Sequence, residues 1–126
     1  MILGIGIDIV EIQRMQKWRN NKKLLERFFH SEEVRLFYDC GKKNEFLASR
    51  FAAKEAFGKA LGTGLKNIRL KEIQVTKNIN GKPILKISGN AENVFRNLKG
   101  KYLHLSLSHE KNNAVAIVII EGEKND

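Results

Sequence analysis

Residues 44–61 read NEFLASRFAAKEAFGKAL, and the rest of the chain is best read outward from them. The stretch is rich in Ala and Leu and is followed by Gly62-Thr63-Gly64, so it is a helix with a sharp stop. At about 100° per residue, Phe46, Ala53, Phe57 and Leu61 share one face, while Ala48, Ala52, Glu55, Ala56 and Lys59 lie on another. Arg50 and Lys54 fall on or near the large apolar face. Little of this helix is purely solvated. Glu55 and Lys59 stand one turn apart, which on an exposed helix is an ion pair worth about 0.3–0.5 kcal/mol. Their neighbours Ala48, Ala52 and Ala56 are small, however, and suit a face covered by another element or by a ligand. A covered carboxylate needs a cation.

The opening stretch MILGIGIDIV at residues 1–10 alternates with period two and predicts a strand. Leu3, Ile5, Ile7 and Ile9 form one face; Ile2, Gly4, Gly6, Asp8 and Val10 form the other. Glycine weakens a strand unless another backbone or a ligand approaches closely, so the Gly4-Gly6 face predicts such an approach beside Asp8.

Residues 11–29 turn helical in two pieces. Ser31 is the expected N-cap of a short helix over 32–40, with Glu32 and Glu33 in its first turn. Strands are expected over 73–76 and 84–88, joined through Asn80-Gly81, and a helix over 91–99. Two further strands, 102–108 and 114–120, read as nearly all core. The tail from Glu121 to Asp126 is polar and expected to fray.

The chain has 126 residues and a net charge of +9 from 23 basic and 14 acidic side chains. Its length suits one domain over residues 1–126 and excludes a multidomain enzyme. The basic balance points to anionic partners: phosphates, nucleic acid or acidic proteins. A lone Cys40 allows no internal bridge and favours a reducing, cytoplasmic setting. The longest apolar run, 114–120, is too short to span a membrane, and no membrane partner is expected.

Several motifs fail on inspection. Gly4-x-Gly6 lies inside a strand and has Ile9 at the third glycine position of a dinucleotide fingerprint. Gly58-Lys59 has Ala53 and Ala60 where a phosphate-binding P-loop needs Gly and Ser or Thr. His104 and His109 alternate onto opposite faces of their strand and do not share a metal. What remains is a pair of carboxylates, Asp8 and Glu55, in covered surroundings. Two hard oxygen ligands completed by phosphate oxygens and waters are a common way to hold Mg²⁺.

Three stretches together resemble the holo-acyl-carrier-protein synthase family of 4′-phosphopantetheinyl transferases in its short single-domain form. They are Gly6-Ile-Asp8-Ile-Val-Glu-Ile-Gln-Arg14, Arg50-Phe-Ala-Ala-Lys54-Glu55-Ala-Phe-Gly-Lys59-Ala-Leu-Gly-Thr-Gly, and His104-Leu-Ser-Leu-Ser108-His109. The resemblance covers essentially the whole chain. It implies an α+β fold, with a small antiparallel sheet packed against a long central helix, assembled as a homotrimer with active sites between subunits. It also implies transfer of the phosphopantetheine arm of coenzyme A to a serine of apo-acyl carrier protein, leaving adenosine 3′,5′-bisphosphate. Asp8 and Glu55 match the Mg²⁺ ligands, Lys59 the lysine near the diphosphate, and His109 the histidine near the adenosine end. Arg14 matches an arginine on the carrier-docking helix. Arg50, Lys54 and the turn Asn80-Gly81-Lys82-Pro83 look like nucleotide-side contacts.

The basic run from Arg14 to Arg27 suits the acidic helix that acyl carrier proteins present. Its rival is a small nucleic-acid-binding protein, which fits +9 but finds no aromatic-rich strand of the RRM kind and no zinc-ligand spacing.

Overall fold

The computed structural model describes residues 1–124, so the last two residues of the tail lie outside the described residues. A three-stranded antiparallel sheet runs in the order β1 (Ile2–Glu11), β5 (Asn113–Glu121), β4 (Tyr102–His109). The long helix α3 (Asn44–Leu61) lies across it, and Ala48, Ala52, Ala53, Ala56 and Phe57 on that helix are wholly buried. A two-stranded hairpin of β2 (Ile73–Lys77) and β3 (Pro83–Ile87) flanks the helix. Short helices α1 (Lys22–Phe28), α2 (Ser31–Asp39) and α4 (Gly89–Asn97) close the remaining sides. Gly62 ends α3 with φ +81°, a left-handed cap that glycine adopts without strain.

The two glycines of β1 explain how close the layers come. A Cβ on Gly4 would overlap the Ala60 carbonyl, and one on Gly6 would overlap the Ala56 carbonyl. Of the two readings of this face, a backbone approach is the one observed. The opposite face of the sheet presents Ile5, Ile7 and Ile9 beside Ile119, Ile117 and Val115. Ile5, Ile7 and Ile9 are 57–63% exposed, a row of large apolar side chains left uncovered in the single chain.

Several sequence expectations change. The first helical piece of 11–29 is a 3-10 turn, Ile12–Lys17, because β1 continues through Glu11 and Ile12 N–H still bonds Asn112 O. The N-cap of α2 is His30 rather than Ser31: its Nδ1 accepts the Glu32 N–H at 3.1 Å, and Glu33 reaches back to the His30 N–H at 3.0 Å. The last two strands are core on one face only. Ala114, Ala116, Val118 and Ile120 are buried, whereas Tyr102, His104, Ser106 and Ser108 line the exposed side of β4. Glu121 belongs to β5 rather than to a frayed tail.

Candidate active site

The glycine contacts set the register between strand and helix. Gly4 sits against Ala60 and Gly6 against Ala56, so each two-residue step along β1 matches about one turn of α3. Asp8 is the next residue on this face of β1. Lys59 Nζ donates to Asp8 Oδ1 at 3.0 Å and to the Ile7 carbonyl at 3.0 Å. Asp8 is largely enclosed, its side chain 17% exposed, while that of Lys59 is 56% exposed. The cluster is therefore walled by backbone and open at its cationic end.

Glu55 completes it. Partial burial, and then the charge of Asp8, push the Glu55 carboxyl above its ordinary range, while Lys59 and Arg14 pull it down. Glu55 stands one helical turn before Lys59 on the same side of α3. Arg14 stands on the 3-10 turn with its guanidinium 5.3 Å from the centre of the Phe51 ring, one helical turn before Glu55. Among the described residues no group of three or more His, Cys, Asp or Glu side chains converges. The donor set is two like-charged carboxylates, with Lys59 paired to Asp8. That chemistry fits a Mg²⁺ ion that draws its remaining ligands from phosphates and water.

The other expected residues lie elsewhere. Lys54 is wholly buried; it donates to Glu33 Oε1 at 2.7 Å, to Leu70 O at 3.0 Å and to Ile73 O. With all three N–H donors engaged inside the protein it has none for a nucleotide, and that expectation is corrected. Burial lowers its pKa, and Glu33 opposes the shift. Arg50 is 8% exposed, lies 3.8 Å over the Phe46 ring and bonds Ser49 Oγ at 3.1 Å, leaving Nε without a partner. Desolvation depresses its pKa. His109 lines a hollow with Ile12, Glu45, Glu110 and Lys111, and Glu45 precedes Glu55 by about 15 Å of helix. Gly81 and Lys82 lie exposed in the hairpin turn, and half-buried Pro83 opens β3 opposite Lys77, about 7 Å of strand beyond Val75.

Sequence reasoning missed Glu33, which it placed as an ordinary first-turn carboxylate. The signal was present in Lys54: a lysine on the covered face of a helix requires a buried acid, and the segment before that helix holds few.

Comparison with known proteins identifies the family. Residues 4–118 match the model of the 4′-phosphopantetheinyl transferase superfamily. The chain is 54% identical to a holo-[acyl-carrier-protein] synthase of Treponema pallidum, covering 98% of each chain. It is 55% identical to one of Treponema denticola, covering 97% of this chain and 100% of that one. A holo-(acyl-carrier-protein) synthase of Bacillus anthracis, solved in complex with CoA (3′,5′-ADP), superposes with TM-score 0.80 at 40% identity, over 98% of this chain and 99% of that one. With matches of this extent in sequence and in fold, the chain belongs to the holo-[acyl-carrier-protein] synthase family of phosphopantetheinyl transferases.

Proposed function

We propose that the chain moves the 4′-phosphopantetheine group from coenzyme A to a serine hydroxyl of an apo-acyl carrier protein, with adenosine 3′,5′-bisphosphate as leaving group. The observation that carries this reading is the Asp8–Lys59 pair on the β1–α3 seam, with Glu55 one helical turn before Lys59 on the same side of α3. Breaking a diphosphate requires its negative charge to be met and the incoming hydroxyl to be held in line. Asp8 and Glu55 would hold Mg²⁺, which when bound neutralises diphosphate oxygens and polarises the phosphorus centre. Lys59 offers a point charge on a flexible stem, free to leave Asp8 for a phosphate oxygen. The Gly4 and Gly6 seats keep the strand from sliding along the helix, so the carboxylates are held in place before substrate arrives.

Arg14 and the basic residues that follow it favour encounter with an acidic carrier surface, chiefly through the association rate. The cation–π seat of Arg14 on Phe51 fixes its place beside Glu55. A homotrimer is proposed on two grounds. The Ile5, Ile7 and Ile9 row is an uncovered apolar face. Within one chain the sheet register puts His109 two strands away from β1 and Asp8, and a neighbouring copy is the natural source of a second half-site.

The direct test is to incubate the purified protein with coenzyme A, Mg²⁺ and an apo-acyl carrier protein and to weigh the carrier by mass spectrometry. A gain of one phosphopantetheine is expected, and an unchanged mass overturns the reading. Sedimentation should show a particle three times the 14.4 kDa chain mass; Ile7→Glu should reduce it to one copy.

A further inference from the structure

The Lys54 and Glu33 pair takes part in no step described so far, yet it is the most completely buried charge cluster among the described residues. The two side chains have no exposed surface. Among the described residues strand β2 has β3 on one edge only, and the backbone groups on its other edge have no neighbouring strand. Glu33 Oε2 accepts the Val75 N–H there at 3.1 Å, and Lys54 Nζ donates to the Ile73 carbonyl. One side chain acts as the missing strand's acceptor and the other as its donor.

The remaining bonds tie this edge to the surrounding frame. Lys54 also holds the Leu70 carbonyl at 3.0 Å, just before β2. Glu33 Oε1 receives both Lys54 and the His30 N–H. A hydrophobic pair of the same shape would fill the space but would leave Val75 N–H and Ile73 O unsatisfied, so the charges serve geometry here. A two-stranded hairpin is marginal on its own. This one carries the Asn78–Pro83 turn, whose Ile79 is fully exposed and whose Asn78 Oδ1 holds the Asn80 and Lys82 N–H groups. The turn is ordered within itself, and the Lys54–Glu33 clamp grips the strand leading into it.

We propose that Lys54 and Glu33 are positioning residues: the pair clamps the root of the β2–β3 hairpin and thereby sets where Gly81, Lys82 and Pro83 stand. The functional part rests on the reading that this turn meets the nucleotide of coenzyme A. The pair then governs nucleotide binding through the hairpin and leaves the chemistry at Asp8 and Glu55 nearly untouched.

The test is the double variant Glu33→Gln/Lys54→Met in the full-length protein, which removes both charges together and orphans neither. Two quantities are read: hydrogen exchange, segment by segment, and steady-state kinetics with each substrate varied. Exchange over residues 73–87 is expected to quicken about tenfold while β1 and β5 keep their protection. KM for coenzyme A should rise about tenfold, with kcat within about twofold and KM for the carrier unchanged. Unchanged protection of 73–87, or a loss confined to kcat, overturns the proposal. Lys82→Ala separates the two layers: if it leaves KM for coenzyme A unchanged while the double variant still loosens 73–87, the clamp stands and the reading of the turn falls. Should the double variant not fold, the parent is read instead: the Val75 amide, bonded to Glu33, should exchange as slowly as the amides of β5, and rapid exchange there overturns the clamp.

Discussion

Helix α3 carries two lysines that each meet a carboxylate from another element, and the two pairs have opposite fates. Lys54 and Glu33 are sealed, with neither side chain exposed and every ammonium proton engaged. Lys59 and Asp8 are half open, and a second carboxylate, Glu55, one helical turn before Lys59, makes no salt bridge among the described residues. The same residue types therefore give a clamp in one place and a charge cluster with spare capacity in the other. The difference lies in saturation: a site able to take a ligand keeps acceptors and charge in excess, and a structural pair keeps neither.

Breaking the sealed pair has the largest expected effect on stability. Lys54→Ala leaves Glu33 charged and buried without its partner, a loss of about 3–5 kcal/mol, measurable as a lower urea midpoint at unchanged slope. The open cluster should respond in the opposite way. Asp8→Asn and Glu55→Gln should each lower kcat by about 10²–10³-fold, equivalent to roughly 3–4 kcal/mol of barrier, while stability in urea changes by less than about 1 kcal/mol. Chelation with EDTA should abolish the parent's turnover, and added Mg²⁺ should restore it. A variant that loses stability and activity together at Asp8 would erase the contrast between the two pairs.

Much of this contrast was legible before any coordinates. The glycines of β1 and the alanines of α3 pointed to close approach by another backbone element or a ligand, and Asp8 and Glu55 were singled out as a covered carboxylate pair. Lys54 was misread because a helical pattern shows that a lysine is covered but not what covers it. Its partner Glu33 lies on a different helix, 21 residues earlier. Its other bonds go to the Leu70 and Ile73 carbonyls, and backbone acceptors leave no mark in a sequence. The exposed Ile5, Ile7 and Ile9 row was hidden for a related reason: alternation identifies two faces of a strand without saying which one the chain itself buries.

Arg14 sharpens the comparison from outside the cluster. It feels Glu55 but makes its packing contact with Phe51, so reversing its charge should alter docking before chemistry. Arg14→Glu should raise KM for the carrier protein about tenfold, roughly 1.4 kcal/mol. Its effect on kcat should be smaller, and the loss should shrink as salt is added. An equal loss in kcat and in kcat/KM would place Arg14 in the reacting cluster instead.

The smallest effect is the most discriminating, because it concerns a residue whose loss should help the fold. The carboxyl of Glu55 titrates above its ordinary range in the folded chain, through burial first and the Asp8 charge second. The native state then holds the Glu55 proton more tightly than the unfolded chain does. That advantage is fully present below the ordinary carboxylate range and is lost as pH rises through the raised folded value. Near neutral pH the parent therefore keeps a poorly housed negative charge, and Glu55→Gln removes it. The variant should be more stable than the parent at about pH 7 by less than about 1 kcal/mol, since solvent screens a half-exposed group, and the gap should close at about pH 3. Added Mg²⁺ should then raise the Tm of the parent and not that of the variant, because only the parent keeps both carboxylates to bind it. If Glu55→Gln is instead destabilising across the whole range, Glu55 is a structural partner of Lys59 and Arg14, and the open cluster is a second clamp.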